Sequence, residues 1–124
     1  MKLFTVAEAN AMLPEIVPRL TDIRTLYARV DGLREHARAA AEASEFGGGM
    51  EGGTAYVNAL YLIGKITTDM NDLGVVLKDY ARGLIDFPSE RDGRVVYLCW
   101  QLGEGETIGW WHEAEAGFAG RQPL

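Results

Sequence analysis

The amino-terminal part of the chain carries apolar side chains at steps of three and four positions, which is the period of an amphipathic α-helix. Thr5 and Glu8 have the spacing of a capping box, in which each side chain accepts a hydrogen bond from the other residue's backbone amide. A helix is therefore predicted to begin at Val6.

Two prolines interrupt this helical pattern. Pro14 and Pro18 lack the amide hydrogen that a helix interior uses, and they disfavour helical geometry at the preceding residues, Leu13 and Val17. The pattern therefore predicts a short helix and then a long helix over residues 16–44.

A glycine-rich segment follows at residues 44–53 and predicts a flexible connector, because so little apolar surface cannot hold one conformation. A phosphate-binding P-loop would end in glycine, lysine and then serine or threonine. The segment lacks that lysine, so the connector is the better interpretation.

The next helix is predicted over residues 54–82, ending before Gly83, because glycine commonly follows the last turn of a helix. Apolar side chains from Tyr56 to Tyr80 cover more than half of its circumference. One side is expected to pack on the preceding helix as an antiparallel hairpin. Two candidates could cover the remaining apolar surface between Tyr56 and Tyr80, the carboxy-terminal sheet or a second copy of the chain. The width of this surface favours self-association, with a homodimer as the expected form.

From residue 83 onward the apolar period changes to two, which is typical of β-strands. We expect an α+β fold in which a long antiparallel helical hairpin packs against a three-stranded antiparallel β-meander. A single domain over residues 1–124 would then comprise a helical part, 1–82, and a meander with a carboxy-terminal tail, 83–124. The predicted strands are residues 84–87, 94–102 and 107–112.

The length of the second turn of the meander decides which side chains share a face of the sheet. A turn over residues 103–106 places Tyr97 opposite His112 and Cys99 opposite Trp110. Directly opposed residues point to the same side, so Tyr97, Cys99 and His112 are expected to lie together.

The first turn of the meander adds an acidic residue to this face. A turn over residues 88–93 places Asp86 opposite Val95, on the same side as Tyr97. A slip of one residue in either turn would move a whole strand's side chains to the other face. The face is expected to gather Asp86, Tyr97, Cys99 and His112.

This polar face carries the candidate chemistry of the chain. A histidine beside a carboxylate can act as a general base or bind a metal ion, although a lone histidine is more often structural and bonded to a tyrosine or to backbone. The candidate catalytic residues are Asp86, Tyr97 and His112. The candidate ligands for a divalent metal ion are Asp86, Glu104, His112 and Glu113.

The composition limits the class of protein and its partners. A chain of 124 residues that is 48% hydrophobic and 24% charged is typical of one soluble domain, and it has no apolar stretch long enough for a membrane span. Its formal net charge of −6 argues against nucleic acid as a partner.

The cysteine content and the amino terminus bear on location. Cys99 is the only cysteine, so no intramolecular disulfide can form, and its apolar neighbours favour a buried thiol over a nucleophile. The amino terminus lacks the apolar run of a signal peptide. A cytoplasmic protein is expected.

Several segments of the chain together form a recognisable signature. Its amino-terminal half comprises residues 4–10, 13–15, 74, 77–79 and 83–88. Its carboxy-terminal half comprises residues 97–100, 103–104, 111–113 and 117–121. These segments resemble a known bacterial family, domain of unknown function 2203. The resemblance spans nearly the whole chain and implies a bacterial, cytoplasmic protein with no established activity and no accepted catalytic residues.

Two leading functions remain open on the sequence, beside a third, an acidic decoy for a basic partner, which rests only on the formal charge of −4 over residues 83–124. The preferred one is a noncatalytic module that self-associates or binds an unidentified protein partner through its apolar helical surface. The alternative is a small metal-dependent or acid–base enzyme that uses the carboxylate and histidine cluster of the sheet.

Overall fold

The computed structural model describes residues 1–43 and 53–124. Within these residues the architecture is α+β, as predicted, with two α-helices and a five-stranded antiparallel sheet. The elements are α1 (Val6–Ala43), α2 (Gly53–Asp72), β1 (Val76–Asp79), β2 (Leu84–Arg91), β3 (Arg94–Gln101), β4 (Trp110–Glu113), a 3-10 turn, η1 (Phe118–Gly120), and β5 (Gln122–Pro123).

The predicted capping box starts α1 at Val6. The Thr5 amide donates to Glu8 Oε1 at 2.9 Å, and the Glu8 amide donates to Thr5 Oγ1 at 3.1 Å. Because these bonds favour the charged carboxylate, chiefly through the Thr5 amide, they lower the pKa of Glu8.

Helix α1 continues through both prolines, so the predicted division into a short and a long helix is wrong. Pro14 and Pro18 are exposed, and their spacing of four places them on one side of the helix. Each proline leaves the carbonyl four residues earlier without its helical partner, here the carbonyls of Asn10 and Pro14. This side lines an open groove, where water can satisfy those carbonyls, so the helix need not break.

Helix α2 ends at Asp72 and not at residue 82, because Gly74 stops it. Gly74 has a φ of 89°, in the region that favours glycine, and a Cβ there would lie 3.1 Å from Lys2 Cβ and 3.2 Å from the Phe4 ring. The chain then straightens into β1, so the last part of the predicted helix is a strand.

The two helices pack as an antiparallel hairpin, as predicted. The buried cluster near the amino end of α1 includes Met70, close to the carboxy end of α2. Farther along α1, Leu26 and Val30 pack instead with Ala59 and Ile63, which come earlier in α2. The reversed order of these contacts gives the antiparallel direction.

The main core lies between α1 and one face of the sheet. Ile16 and Leu20 of α1 are fully buried there, and Phe4 packs edge-on against Phe87 with the ring centroids 5.2 Å apart. Because strand side chains alternate, every second residue of β2 to β4 points away from this core. The side chains that the sheet contributes to this core include Ile85, Phe87, Val96, Leu98, Trp100 and Trp111.

The sheet has five strands in the order β1-β2-β3-β4-β5, so the prediction of three strands is wrong in number. Strand β1 comes from the region predicted to be helical, and β5 comes from the tail. In β5, Gln122 pairs with Trp111 and Pro123 with Trp110, and the Leu124 amide donates to the Gly109 carbonyl at 3.0 Å. The carboxy-terminal tail is therefore docked on the sheet.

The turn between β2 and β3 is shorter than the predicted turn over residues 88–93. Strand β2 runs to Arg91 and pairs it with Arg94, which leaves only Asp92 and Gly93 in the turn. Their φ values of 53° and 77° are what a two-residue type I′ hairpin requires. The Asp-Gly dipeptide is a strong signal for this turn. The predicted turn was too long because it began at Pro88, which the structure places within β2.

Gly83, between β1 and β2, provides a test of packing at the edge of the sheet. It has a φ of 62°, and a Cβ there would lie 2.6 Å from Leu102 Cδ1. We expect Gly83→Ala to lower the free energy of unfolding by about 2 kcal/mol through backbone strain and overlap. Gly32→Ala, where a Cβ meets nothing within 4 Å, should raise it by up to about 1 kcal/mol. Urea denaturation measures both, and equal stabilities would contradict the predicted contrast.

The predicted connector over residues 44–53 lies outside the described residues, apart from Gly53 at the start of α2. Neither described helix is long and apolar enough to cross a membrane.

Candidate functional site

The outer face of the sheet, which we define as the face away from α1, carries the predicted polar side chains. Tyr97 lies opposite His112, and Cys99 lies opposite Trp110, as the predicted register requires. The predicted alignment of β3 with β4 is therefore confirmed, although the predicted turn over residues 103–106 is too short, because β3 ends at Gln101 and β4 begins at Trp110.

Asp86 also points to the outer face, although its predicted partner is wrong. It lies opposite Cys99 and not opposite Val95, because the first turn is tighter than predicted. The partner has moved by four positions, from 95 to 99, and an even shift keeps a side chain on the same face. The error in the turn therefore leaves the predicted grouping intact.

Asp86 and His112 form a buried pair across the central strand. The His112 Nε2 atom lies 3.1 Å from Asp86 Oδ1 and 3.1 Å from Oδ2. Each side chain is only 4% exposed. Because the two residues come from β2 and β4, which both pair with β3, the sheet itself fixes their separation.

A backbone contact sets the orientation of the His112 ring. The Nδ1 atom lies 2.8 Å from the Glu113 carbonyl oxygen. A carbonyl can only accept a hydrogen bond, so Nδ1 carries a proton and donates it. The Nε2 atom is thereby directed at the Asp86 carboxylate, and a proton or a cation has to lie between these two groups.

Tyr97 completes the group that the sequence predicts as catalytic candidates. Its ring stacks on that of His112 with centroids 5.6 Å apart and an interplanar angle of 24°. Asp86, Tyr97 and His112 thus lie together on the outer face. Tyr97 is half-buried, so it forms part of the boundary between the buried pair and solvent.

Cys99 belongs to the same cluster. It is buried between the Asp86 and Trp110 positions of the neighbouring strands. Burial, and then the negative charge of Asp86, raise the pKa of the Cys99 thiol to about 12. The residue is a thiol at neutral pH and not an activated nucleophile, which agrees with the interpretation of Cys99 as a buried thiol.

Glu104, a predicted metal ligand, pairs with Arg121. Arg121 Nη1 donates to Glu104 Oε2 at 2.9 Å, and Nη2 donates to Oε1 at 2.7 Å. Glu104 Oε1 also accepts from the Gln101 amide at 2.8 Å. Both carboxylate oxygens are therefore engaged, and the structure does not place them with the Asp86–His112 pair.

Glu113, the other predicted carboxylate ligand, pairs with Arg94 at the surface. Arg94 Nε donates to Glu113 Oε2 at 2.9 Å, and the Arg94 Nη2 group donates to Oε1. This pairing lowers the pKa of the Glu113 carboxyl. Glu113 instead serves the site through its backbone carbonyl, which holds His112.

Arg121 is the residue at this site that sequence reasoning missed. Its side chain is 10% exposed, donates to the Cys99 carbonyl at 3.3 Å, and stacks over the rings of Trp110 and Phe118 at 5.0 and 4.7 Å. Residues 117–121 appear in the family signature, but that likeness assigns no chemistry to the arginine. Its partner Glu104 is distant enough in sequence that only the fold reveals the pair.

Comparison with known proteins identifies the family and gives no activity. A family model described as an uncharacterized conserved protein, domain of unknown function 2203, matches residues 2–124. No curated protein and no solved structure matches the chain. Because the match extends over nearly the whole sequence, the chain belongs to the family described as domain of unknown function 2203.

Proposed function

We propose that the protein is a noncatalytic self-associating module whose α2 helix packs against α2 of a second copy. The observation that carries the proposal is an exposed apolar stripe on α2, formed by Val57, Leu60, Tyr61 and Gly64. Their spacing of three, four and seven residues places them on one side of the helix.

The stripe lies away from the side of α2 that packs within the chain. Val57 is 62% exposed, Leu60 44% and Tyr61 68%. The side chains of α2 that pack inside the chain, Ala59 and Ile63 among them, lie on the opposite side and meet α1. Large apolar side chains in one exposed group are typical of a contact surface.

The stripe is complementary to itself in an antiparallel arrangement. A two-fold axis between Leu60 and Tyr61 sets Leu60 of each copy against Tyr61 of the other, and Val57 against Gly64. A Cβ at Gly64 meets nothing within 4 Å in the chain, so the glycine leaves room for a valine from the second copy. Such a pairing is isologous, the commonest symmetry of homodimers.

Charge also favours a second copy over a highly charged partner. The helix from Gly53 to Gly64 contains no charged residue, and Lys65 is the first. Two copies of a chain with a net charge of −6 can therefore meet along this segment without opposing like charges at the contact. Two paired hairpins would form a four-helix arrangement, in which α2 is covered on one side by α1 and on the other by α2 of the second copy.

The oligomeric state tests this proposal. We expect light scattering at micromolar concentration to give the mass of a dimer. Leu60→Lys should weaken association about 30-fold, because the symmetry introduces the change twice at about 1 kcal/mol per copy. Leu62→Lys is the matched control, since Leu62 is 42% exposed but lies on another side of α2.

Two results would overturn the homodimer. If the wild-type protein stays monomeric over the whole concentration range, the stripe does not bind a second copy of the chain and would have to bind a different partner. Equal weakening by Leu60→Lys and Leu62→Lys would show that association does not use this side of α2.

The second candidate is a small acid–base or metal-dependent enzyme, which the buried Asp86–His112 pair favours. A general base must reach the proton that it removes. Both side chains are 4% exposed, so such an enzyme would need the tail or Tyr97 to move before a substrate could reach them. We rank self-association first because its surface is already accessible.

A further inference from the structure

We propose that Asp86, Cys99 and His112 form a binding site for a divalent transition-metal ion, with zinc as the best-fitting ion. The three side chains each offer one ligand atom, and these atoms lie within 4.8 Å of one another. The site is on the outer face of the sheet, away from the α2 stripe, so it is independent of self-association.

The geometry is close to that of a small metal centre. Zinc bonds of roughly 2.0–2.3 Å to nitrogen, oxygen and sulfur put tetrahedral ligand atoms roughly 3.3–3.8 Å apart. His112 Nε2 is 3.1 Å from either Asp86 oxygen, so that pair has to open by a few tenths of an ångström. The thiol has to approach by at most about 1 Å, within reach of a side-chain rotation.

The surroundings of His112 favour a metal ligand. A metal-binding histidine commonly donates its second ring nitrogen to a carbonyl or carboxylate, which fixes the tautomer and leaves the other nitrogen free to bind. The Nδ1 atom donates to the Glu113 carbonyl at 2.8 Å in this way. The Nε2 lone pair is then directed at the Asp86 carboxylate, and a cation between them would replace the shared proton.

Rigid strands support all three ligands. Asp86 lies on β2, Cys99 on β3 and His112 on β4, and each of these strands is paired with the next. Arg121 additionally holds the Cys99 carbonyl. The donor atoms are therefore held near one point without any loop having to fold around the ion.

The donor set decides between classes of metal ion. Calcium and magnesium prefer shells made only of oxygen, whereas one carboxylate, one imidazole and one thiolate suit zinc and similar ions. Three protein ligands leave a fourth position for water. When the ion binds, the thiol proton of Cys99 passes to solvent, and the sulfur becomes a thiolate ligand.

This ligand set differs from the one that the sequence suggested. Asp86 and His112 are in both sets, but Cys99 takes the place of Glu104 and Glu113. Those two carboxylates already bind Arg121 and Arg94, and the thiol lies closer to the pair.

Cobalt titration of the chelator-treated full-length protein tests the proposal. We expect saturation at one Co²⁺ per chain, with visible bands of a four-coordinate ion and a near-ultraviolet sulfur-to-cobalt charge-transfer band. Added Zn²⁺ should bleach both. Cys99→Ser should remove the charge-transfer band, and His112→Gln should abolish binding at one equivalent. His36→Gln, which changes the other histidine of the chain, an exposed one, should leave the spectrum unchanged.

Several outcomes would overturn the site. Wild-type protein that shows no charge-transfer band with excess Co²⁺ contradicts it without reference to any variant. A band that persists in Cys99→Ser, or is lost in His36→Gln, would place the metal elsewhere. Circular dichroism of each variant before titration separates loss of the site from loss of the fold.

Discussion

Replacing Asp86 with alanine in metal-free protein is expected to lower the free energy of unfolding by about 3–5 kcal/mol, as is typical when one partner of a buried pair is removed. The side chains of Asp86 and His112 are each 4% exposed, so bulk solvent does not reach the carboxylate in the folded protein. His112 Nε2 would remain buried with no acceptor or donor opposite it, while Nδ1 stays bound to the Glu113 carbonyl. Urea denaturation with a chelator present measures the loss.

A second carboxylate provides the control for this prediction. Glu113→Ala also removes an acid that pairs with a basic side chain, Arg94, but this pair is exposed, so we expect little change in stability. Asp86→Asn should cost less than Asp86→Ala, because an amide can still hydrogen-bond to His112. Equal losses for Asp86→Ala and Glu113→Ala would contradict a stabilising buried pair.

The candidate site was predictable because it depends on the alternation of side chains and on whether an error in turn length is even or odd, and not on the exact length of the turn. Any even error in register keeps Asp86 on the face of Tyr97, Cys99 and His112, and the error at the first turn was even. Which atoms approach each other was not predictable. The central place of Cys99 opposite Asp86 required the correct two-residue turn.

The boundary between helix and sheet was harder to predict, because two signals conflict there. The apolar period from Tyr56 to Tyr80 fits a helix, whereas Gly74 can end one. Gly74 ends the helix because the packed structure gives this residue a φ of 89° and brings Phe4 close to it. The periodicity of the local sequence carries no information about that contact, since Phe4 is far away along the chain.

The prolines of α1 show a related limit of local rules. The rule that proline breaks a helix counts the lost hydrogen bond and the steric conflict. Whether the cost ends the helix depends on what covers that side of it. Pro14 and Pro18 face a groove of about 870 Å³ that Trp100 and Leu102 also line. The proline rings and the carbonyls without a helical partner therefore lie toward this open groove and not in the core.

The sequence did not predict whether the carboxy-terminal tail docks on the sheet, because the residues that hold the tail are too few to form a periodic pattern. Strand β5 has only two residues, and the strongest contacts of the tail come from one arginine. Through Arg121 the tail contacts the outer face at the Cys99 carbonyl, so we expect access to the polar cluster to depend on this side chain. We therefore expect the stability of the tail and the accessibility of the cluster to be linked.

Arg121→Ala is expected to destabilise the docked tail by about 3 kcal/mol, because a largely buried ion pair with Glu104 is broken and two ring contacts are lost. Opening of the tail should become about 100-fold more frequent, and hydrogen exchange at the amides of residues 120, 121 and 124 should accelerate accordingly. Arg121→Lys keeps the charge but loses the bidentate hydrogen bonding to Glu104, so it should give an intermediate rate of hydrogen exchange. Arg94→Ala, which breaks an exposed pair, is the control and should leave these amides unchanged. If exchange in Arg121→Ala matches the wild type, β5 and the Leu124 bond hold the tail without the arginine, and Arg121 does not control access to the cluster.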